Sequence, residues 1–173
     1  CYRLFNVRAE LPAPRSFSDP SPAPDILQVF IPDAIINLPA AGEFRQVVNL
    51  FIDIPIDPTD DSSVTPFMDT VFDLQEQYGG FFLRPEVSDK GFNLLMVWGA
   101  PLAHETDIDR ALNFILDLAD KSGLSIRAGI TYLTAYAGFM GARLREDYTA
   151  YGWGVSLAAR FMNMAEPGEV WID

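Results

Sequence analysis

The chain has 173 residues, of which 49% are hydrophobic and 13% aromatic, so it can bury one sizeable core but is too short for two ordinary domains. It carries 12 basic and 24 acidic residues, a net charge of -12. This surplus would repel phosphate backbones and argues against a nucleic-acid-binding protein, so a phosphate-bearing substrate would need cations gathered at a local site.

Cysteine content and hydropathy indicate a cytoplasmic protein without membrane insertion. Cys1 is the only cysteine, which excludes a disulfide within the chain, and a single histidine leaves no cluster for structural zinc. The most apolar stretch, residues 94–103, is far shorter than the roughly 20 residues of a membrane-spanning helix. The chain begins on Cys1 and stops inside the apolar run 170–172, so we expect a piece of a longer protein with a truncated C terminus.

Prolines divide the chain into two parts. Residues 1–45 contain seven of the 13 prolines. Each proline removes a backbone N–H donor and fixes φ, so this segment predicts a linker or wrapping arm, with one short helix or strand over residues 25–31. Residues 46–173 are predicted to form the folded domain.

A buried strand and an amphipathic helix open the domain. Residues 47–54 are an apolar, β-branched run of strand length, ended by Pro55. Thr65 offers an N-cap with Pro66 at the first helical position, and apolar residues then recur at helical spacing up to Gly79. The sequence therefore predicts a helix between Thr65 and Gly79.

A hairpin, a second helix and a further strand follow. The apolar runs 81–87 and 92–98 are joined by small and polar residues that suit a tight turn. Thr106 provides the next N-cap, and a helix with one apolar stripe runs to Gly123. Apolar and polar residues then alternate over 124–132, which predicts a strand.

The order strand, helix, strand, strand, helix, strand is that of the ferredoxin-like split βαβ fold, an α+β architecture in which an antiparallel sheet carries both helices on one face. Beyond this core, the sequence predicts strands at 137–140, 148–151 and 170–172 and a helix at 155–165. The predicted fold is therefore a ferredoxin-like βαββαβ core extended by extra strands and a helix.

Two candidate metal-binding or catalytic positions each rest on a single polar side chain. Asp53 ends the first buried strand, where a carboxylate can hold a hard cation or simply accept hydrogen bonds in the turn. His104 is the only histidine. Because a metal or general-base site would need partners that no second histidine can supply, we interpret His104 as a loop or capping residue.

The step from strand to helix at Gly152-Trp153-Gly154 is the third candidate site. The free N–H groups at the start of a helix can bind an anion, and glycine lets a ligand approach closely. Ser156 and Arg160 are four residues apart, so both project from one face of the helix and could contact a single ligand. The alternative is a glycine-started amphipathic helix with Arg160 in a surface ion pair, and spacing alone does not decide between them.

Several motifs, in the same order along the chain, resemble class III adenylyl and guanylyl cyclase domains. The most specific is the run 148–160, YTAYGWGVSLAAR; the others include GG at 79–80, LMVWGAP at 95–101, RAGI at 127–130 and PGE at 167–169. The resemblance covers residue 47 to the end and implies the class III cyclase fold. SDKG at 88–91 is similar to the second cyclase domain of soluble adenylyl cyclases, the half that pairs with a more complete first half.

The resemblance also implies an activity and a set of roles. The family converts a nucleoside triphosphate, ATP or GTP, into a 3′,5′-cyclic nucleotide with two metal ions, Mg²⁺ or Mn²⁺. Two aspartates of one half hold the metals, and the other half supplies an asparagine that orients the ribose and an arginine that stabilises charge on the phosphorus. The matching positions are Asp53 for the first metal aspartate, Thr149 for base recognition, Ser156 for the asparagine and Arg160 for the arginine, with Gly152 and Gly154 in the same substrate-binding run.

The chain departs from the family at the metal side of the site. Counting back without a gap from the motif at 99–101 puts Phe92 at the position of the second metal aspartate. The turn after Asp53 contains Pro55 and Pro58, which remove two N–H donors that the family offers to phosphate. The asparagine position holds a shorter serine. These departures disfavour a symmetric homodimer with two complete sites.

Two functions stay open. The first is the metal-deficient half of a dimeric nucleotide cyclase site, paired with a second copy or an upstream cyclase-like domain and contributing Arg160, Thr149 and Ser156. The second is a non-catalytic regulatory or dimerisation module that keeps the cyclase fold, which the same substitutions and the surplus negative charge favour. A diguanylate cyclase shares the ferredoxin-like core but would have carboxylates in the glycine turn at 79–82, so it is set aside.

Overall fold

The computed structural model describes residues 33–36, 38, 42–88, 91–142 and 145–173. In chain order its elements are α1 (Asp33–Ile36), β1 (Glu43–Ile54), α2 (Asp61–Tyr78), β2 (Phe81–Ser88), β3 (Gly91–Trp98), α3 (Asp107–Ser122), β4 (Arg127–Ala142), β5 (Arg145–Tyr151), α4 (Trp153–Met164) and β6 (Val170–Ile172). The arm predicted at 1–45 falls mostly outside the described residues, and the short element predicted at 25–31 falls wholly outside them.

A six-stranded sheet forms the centre of the domain, with strands in the order β2-β3-β1-β4-β5 and β6 added beside β4. β4 and β6 are parallel, and the other neighbouring strands are antiparallel. The order β2-β3-β1-β4, with α2 and α3 as the two crossover helices, is that of the ferredoxin-like fold. The predicted βαββαβ core, extended by extra strands and a helix, is therefore confirmed.

The two faces of the sheet are covered by different helices. Even-numbered residues of β1 and β3 form the larger core with α2 and α3. On the other face, Phe51 and Leu95 pack against Ala158 and Met162 of α4. Because successive strand residues point to opposite faces, the odd-numbered residues of β1, Asp53 among them, lie on the side of α4.

The start of α2 differs from the prediction, because the helix begins one turn before Thr65. Asp60 is the cap: its carboxylate accepts from the Ser62 backbone N–H at 3.1 Å and from the hydroxyls of Ser62 and Ser63, each at 2.6 Å. This set of bonds outweighs the single hydroxyl that Thr65 offers, and Pro66 therefore lies inside the helix. The helix ends where predicted, at the glycine pair.

Removing the Asp60 cap should lower stability in a pH-dependent way. The hydroxyls of Ser62 and Ser63 lower the pKa of Asp60 below its ordinary value of 3.8. The stabilisation is therefore complete above that value and is lost as the pH falls through the lowered folded-state pKa. We expect Asp60→Ala to lower the Tm by roughly 2–4 °C near pH 7, measured by circular dichroism, and by progressively less below about pH 4. Asp69→Ala on the same helix is the control, and a drop that is constant with pH would contradict the assignment.

β4 is one long strand where the sequence predicts two. It spans Arg127–Ala142 and contains most of the segment predicted at 124–132 and all of that at 137–140. The first part of β4 pairs with β1 and the last part with β5, and the two pairings overlap at residues 136 and 137. Continuous pairing keeps the backbone extended through the residues in between.

The other two long helices agree with the predictions within two residues. α3 begins directly after Thr106, and α4 spans residues 153–164 where 155–165 is predicted. The Thr106 side chain does not cap α3; its oxygen accepts from Arg110 Nε at 3.1 Å. None of the helices among the described residues has the length and apolar composition needed to cross a bilayer.

Candidate functional site

Glycine brings the start of α4 close to the sheet. Gly152 caps α4 in an extended conformation, with φ 161° and ψ 178°. A Cβ at Gly154 would lie 2.9 Å from Leu133 Cβ and 3.0 Å from Asn49 Nδ2. Such distances require the neighbours to move, so the structure explains Gly154 by helix-to-sheet packing.

Ser156 and Arg160 lie on the exposed face of α4, one turn apart. The Arg160 guanidinium carbon is 4.9 Å from the centroid of the Trp153 ring, a cation–π contact with a residue that is 61% exposed. Within the described part of the chain no carboxylate forms an ion pair with Arg160. The structure therefore groups Ser156 and Arg160 with the strand-to-helix step, and its described residues do not form the surface ion pair of the alternative interpretation.

Thr149 lies on β5, four residues before the start of α4. Its neighbour Tyr148 packs against the small cluster around Val47, on the sheet face that carries α4, and burial raises the pKa of Tyr148. Because strand residues alternate, the half-buried Thr149 side chain points to the other face. Within one chain, Thr149 is therefore separate from the exposed face of α4.

Asp53 belongs to a row of three polar side chains across neighbouring strands. It pairs in register with Asn93 of β3 and Arg127 of β4. Arg127 Nε donates to Asp53 Oδ2 at 2.7 Å, and the two side chains are 29% and 17% exposed respectively. Asn93 is 8% exposed, and its Oδ1 atom has no hydrogen-bond partner among the described residues. The carboxylate at the first metal position is thus already bound to a guanidinium.

Phe92 lies in the core and not beside Asp53. It is opposite Ile54 in the β1–β3 register, is 4% exposed and packs in the cluster beneath α2 and α3. Phe92 and Asp53 therefore point to opposite faces of the sheet. The residue that faces Asp53 is Asn93. Counting back along the sequence gives Phe92 instead, whereas the alternation of side chains along a strand, which puts neighbouring residues on opposite faces, could have indicated Asn93.

The residues around Asp53 do not fit a pair of Mg²⁺ or Mn²⁺ ions. Among the described residues, no three histidine, cysteine, aspartate or glutamate side chains are grouped so that they could hold a metal ion. Hard cations need several oxygen ligands with net negative charge, whereas this row offers one carboxylate neutralised by Arg127 and one neutral amide. The expected metal role of Asp53 is therefore not supported by its surroundings.

We expect Mn²⁺ to raise the Tm of the wild-type chain by no more than it raises the Tm of the Asp53→Asn variant. A ligand that binds only the folded state at a hundredfold excess over its Kd adds about 2.7 kcal/mol to the free energy of unfolding. Thermal unfolding with and without Mn²⁺ measures this, with Asp69→Asn as a control for an exposed carboxylate. A rise in Tm that disappears in Asp53→Asn but persists in Asp69→Asn would contradict the misfit.

The arginine face and the metal position are separate surfaces of this chain. The first turn of α4 lies over Asn49, whereas Asp53 is four residues, or about 13 Å, further along β1. Asp53 projects from the sheet, and Arg160 points away from it on the exposed face of the helix. One chain thus presents the two kinds of site residue in different directions.

The remaining candidate features lie elsewhere. A surface cavity of about 410 Å³ is bounded by the turn 55–57, by α2 and by the end of α3, on the opposite side of the sheet from α4, and it contains none of the candidate residues. The backbone N–H of His104 donates to Asp107 Oδ2 at 2.8 Å, and its ring Nδ1 is 3.3 Å from Asp107 Oδ1. His104 is therefore a loop residue at the start of α3, as predicted.

Comparisons with known proteins agree with this geometry at the level of the fold. No protein-family model and no curated protein matches the chain. Among solved structures, the adenylyl cyclase CyaB from P. aeruginosa is similar with a TM-score of 0.67 and 21% identity over 76% of this chain and 78% of that one. The guanylate cyclase domain of RhGC from Catenaria anguillulae, solved with GTP, has a TM-score of 0.63 and 22% identity over 75% and 79%.

A third similar structure is the non-canonical dimeric guanylyl cyclase domain of the RhoGC fusion protein from the aquatic fungus Blastocladiella emersonii, with a TM-score of 0.64 and 19% identity over 75% of this chain and 80% of that one. By their descriptions, one is an adenylyl cyclase and two are guanylyl cyclase domains. The chain therefore has the fold of class III adenylyl and guanylyl cyclase domains, as its motifs predict.

Proposed function

We propose that this chain is the metal-deficient half of a dimeric nucleotide cyclase site, which converts a nucleoside triphosphate into a 3′,5′-cyclic nucleotide and pyrophosphate. The observation that carries the proposal is the contrast between two surfaces of one chain. Arg160 is exposed on α4, whereas Asp53 is bonded to Arg127 and, among the residues that the structure describes, is grouped with no second metal-binding carboxylate. The chain is thus equipped to complete a partner's site but not to form one alone.

In this role, Arg160 acts on the transferring phosphoryl group. Negative charge spreads over the phosphoryl oxygens as the 3′-hydroxyl attacks and pyrophosphate leaves, so a guanidinium placed there stabilises the transition state more than the ground state. Stacking on Trp153 occupies one face of the guanidinium and leaves its N–H edge for hydrogen bonds. Ser156, one turn earlier on the same face, offers a hydroxyl to the ribose.

The partner in this proposal carries both metal aspartates, which would hold the Mg²⁺ or Mn²⁺ ions that activate the ribose hydroxyl. A second copy of this chain has the same Asp53–Arg127 pair, so a different cyclase-like domain is the better partner. ATP and GTP both fit the proposal. A similar domain solved with GTP supports a nucleotide substrate. Thr149, at the base-recognition position, points to the other face of the sheet from α4, so the proposal rests on Arg160 and Ser156.

A regulatory or dimerisation module with the cyclase fold is the second candidate function. The Asp53–Arg127 ion pair and the core position of Phe92 favour it, because neither arrangement has a catalytic use. In such a module, Arg160 would bind an anion or contact another domain without taking part in turnover.

Turnover separates the two functions. The full chain is assayed with ATP or GTP and Mn²⁺, alone and after co-purification with a cyclase-fold domain that carries both metal aspartates. The half-site proposal expects cyclic nucleotide only from the pair. A pair that forms but makes no more product than the partner alone would favour the regulatory module.

A further inference from the structure

Two polar side chains are buried directly beneath the start of α4. Asn49 of β1 and Thr131 of β4 face each other in the strand register, and each is 0% exposed. Polar groups buried in this way cost stability unless they are hydrogen-bonded. Their neighbours on this face of β1, Val47 and Phe51, are buried and apolar, so the presence of a fully buried polar pair between them needs a reason.

Hydrogen bonds connect this pair to the helix. Thr131 Oγ1 donates to the carbonyl oxygen of Gly154 at 2.9 Å, and Asn49 Nδ2 donates to Thr131 Oγ1 at 3.3 Å. In the helical pattern, the Gly154 carbonyl already accepts from Ala158, four residues on. The bond from Thr131 is therefore an addition to a satisfied carbonyl, and what it adds is attachment of the first turn of α4 to the sheet.

Stability alone does not explain Asn49. Its Oδ1 atom is buried and has no hydrogen-bond partner among the described residues. An unsatisfied buried acceptor is destabilising, and apolar groups of similar shape in place of both partners can be neutral or stabilising. The pair is thus better explained by where it holds α4 than by how much it stabilises the fold.

We infer that Asn49 and Thr131 are positioning residues, which fix the register and height of α4 over the sheet and thereby the placement of Ser156 and Arg160. The attachment point, Gly154, is two residues before Ser156 and six before Arg160 on the same helix. A rigid helix transmits a shift of its first turn to both side chains. The catalytic part of this inference rests on the proposed function, whereas the structural part does not.

Hydrogen exchange tests the structural part in the full chain. The variant Asn49→Leu/Thr131→Val should keep or raise the free energy of unfolding, measured with urea, while exchange of the amides at 156–158, which bond to the carbonyls of residues 152–154, becomes about tenfold faster. Thr131→Ser keeps the hydroxyl and should keep wild-type exchange. Thr134→Val is the matched control, because it removes a β4 hydroxyl that donates to Gln46 Oε1 at 3.0 Å without contacting α4.

The outcomes separate the inference from the proposed function. In the active pair, Thr131→Val should lower kcat about tenfold and change KM less, since the arginine is displaced and not removed. Unchanged exchange at 156–158, or faster exchange matched by an equal global loss of stability, would overturn the inference. Faster exchange at the start of α4, together with no turnover by the complex of this chain with its partner domain, would uphold the positioning of α4 and refute only the catalytic function.

Discussion

Replacing Arg160 with alanine should lower kcat of the assembled pair by about 10²–10³-fold, the range observed when one preorganised transition-state donor is removed. The guanidinium meets charge that develops only as the bond to the α-phosphorus forms, so kcat should fall far more than triphosphate binding. Its exposed position, stacked on Trp153, means that truncation removes little buried surface. The measurement is steady-state cyclic-nucleotide formation by the purified pair.

Two further variants make the Arg160 result specific. Arg84→Ala removes an exposed arginine from the edge strand β2 and should leave turnover unchanged, which controls for the loss of one positive charge from an acidic protein. Arg160→Lys keeps the charge but loses the planar fork of donors, so its kcat should be intermediate. Equal activity of Arg160→Ala and Arg84→Ala would remove Arg160 from the reaction.

Gly129→Ala should cause a large loss of stability, because its added Cβ would meet the backbone of α4. A Cβ at this position of β4 would overlap the Ala158 carbonyl oxygen and lie 2.5 Å from the Met162 backbone nitrogen. These are backbone atoms of α4, so the clash is relieved only if the helix moves off the sheet, away from Phe51 and Leu95. We expect a loss of about 3 kcal/mol or more in the free energy of unfolding.

Urea unfolding measures this effect, and Gly152→Ala provides the comparison. A Cβ at Gly152 would lie 3.3 Å from the nearest atom, Ala135 Cα, so only small shifts are needed. A loss below about 1 kcal/mol is expected there. Similar losses in the two variants would show that α4 tolerates displacement and would contradict its close packing on Gly129.

Most of the fold could be predicted because its signals are local. The apolar run 47–54, the hairpin runs and the stripes of α2 and α3 each show the period of the element that they form. The predicted start of α2 at Thr65 is wrong. Thr65-Pro66 is a valid local cap, and only the structure shows that Asp60 makes the larger set of hydrogen bonds. Likewise, β4 continues through residues between its two predicted segments because it is paired throughout.

The candidate site was less predictable because its key contacts join distant parts of the chain. Asp53 and Arg127 are 74 residues apart, so no local pattern indicates that the carboxylate is bonded to a guanidinium. Asn49 sits in an apolar run and was interpreted only as part of a buried strand. Its contact with Thr131 follows from the β1–β4 register, which the sequence alone does not provide.

Complementation with two matched partners tests the half-site account most directly. One partner is a cyclase-fold domain that keeps both metal aspartates but has its own transition-state arginine replaced by alanine; the other keeps the arginine and has both aspartates replaced by asparagine. Cyclic-nucleotide formation is measured for each after co-purification with this chain. The account predicts turnover with the first partner only, because the chain supplies Arg160 but no metal site. Turnover with the second partner and none with the first would contradict it.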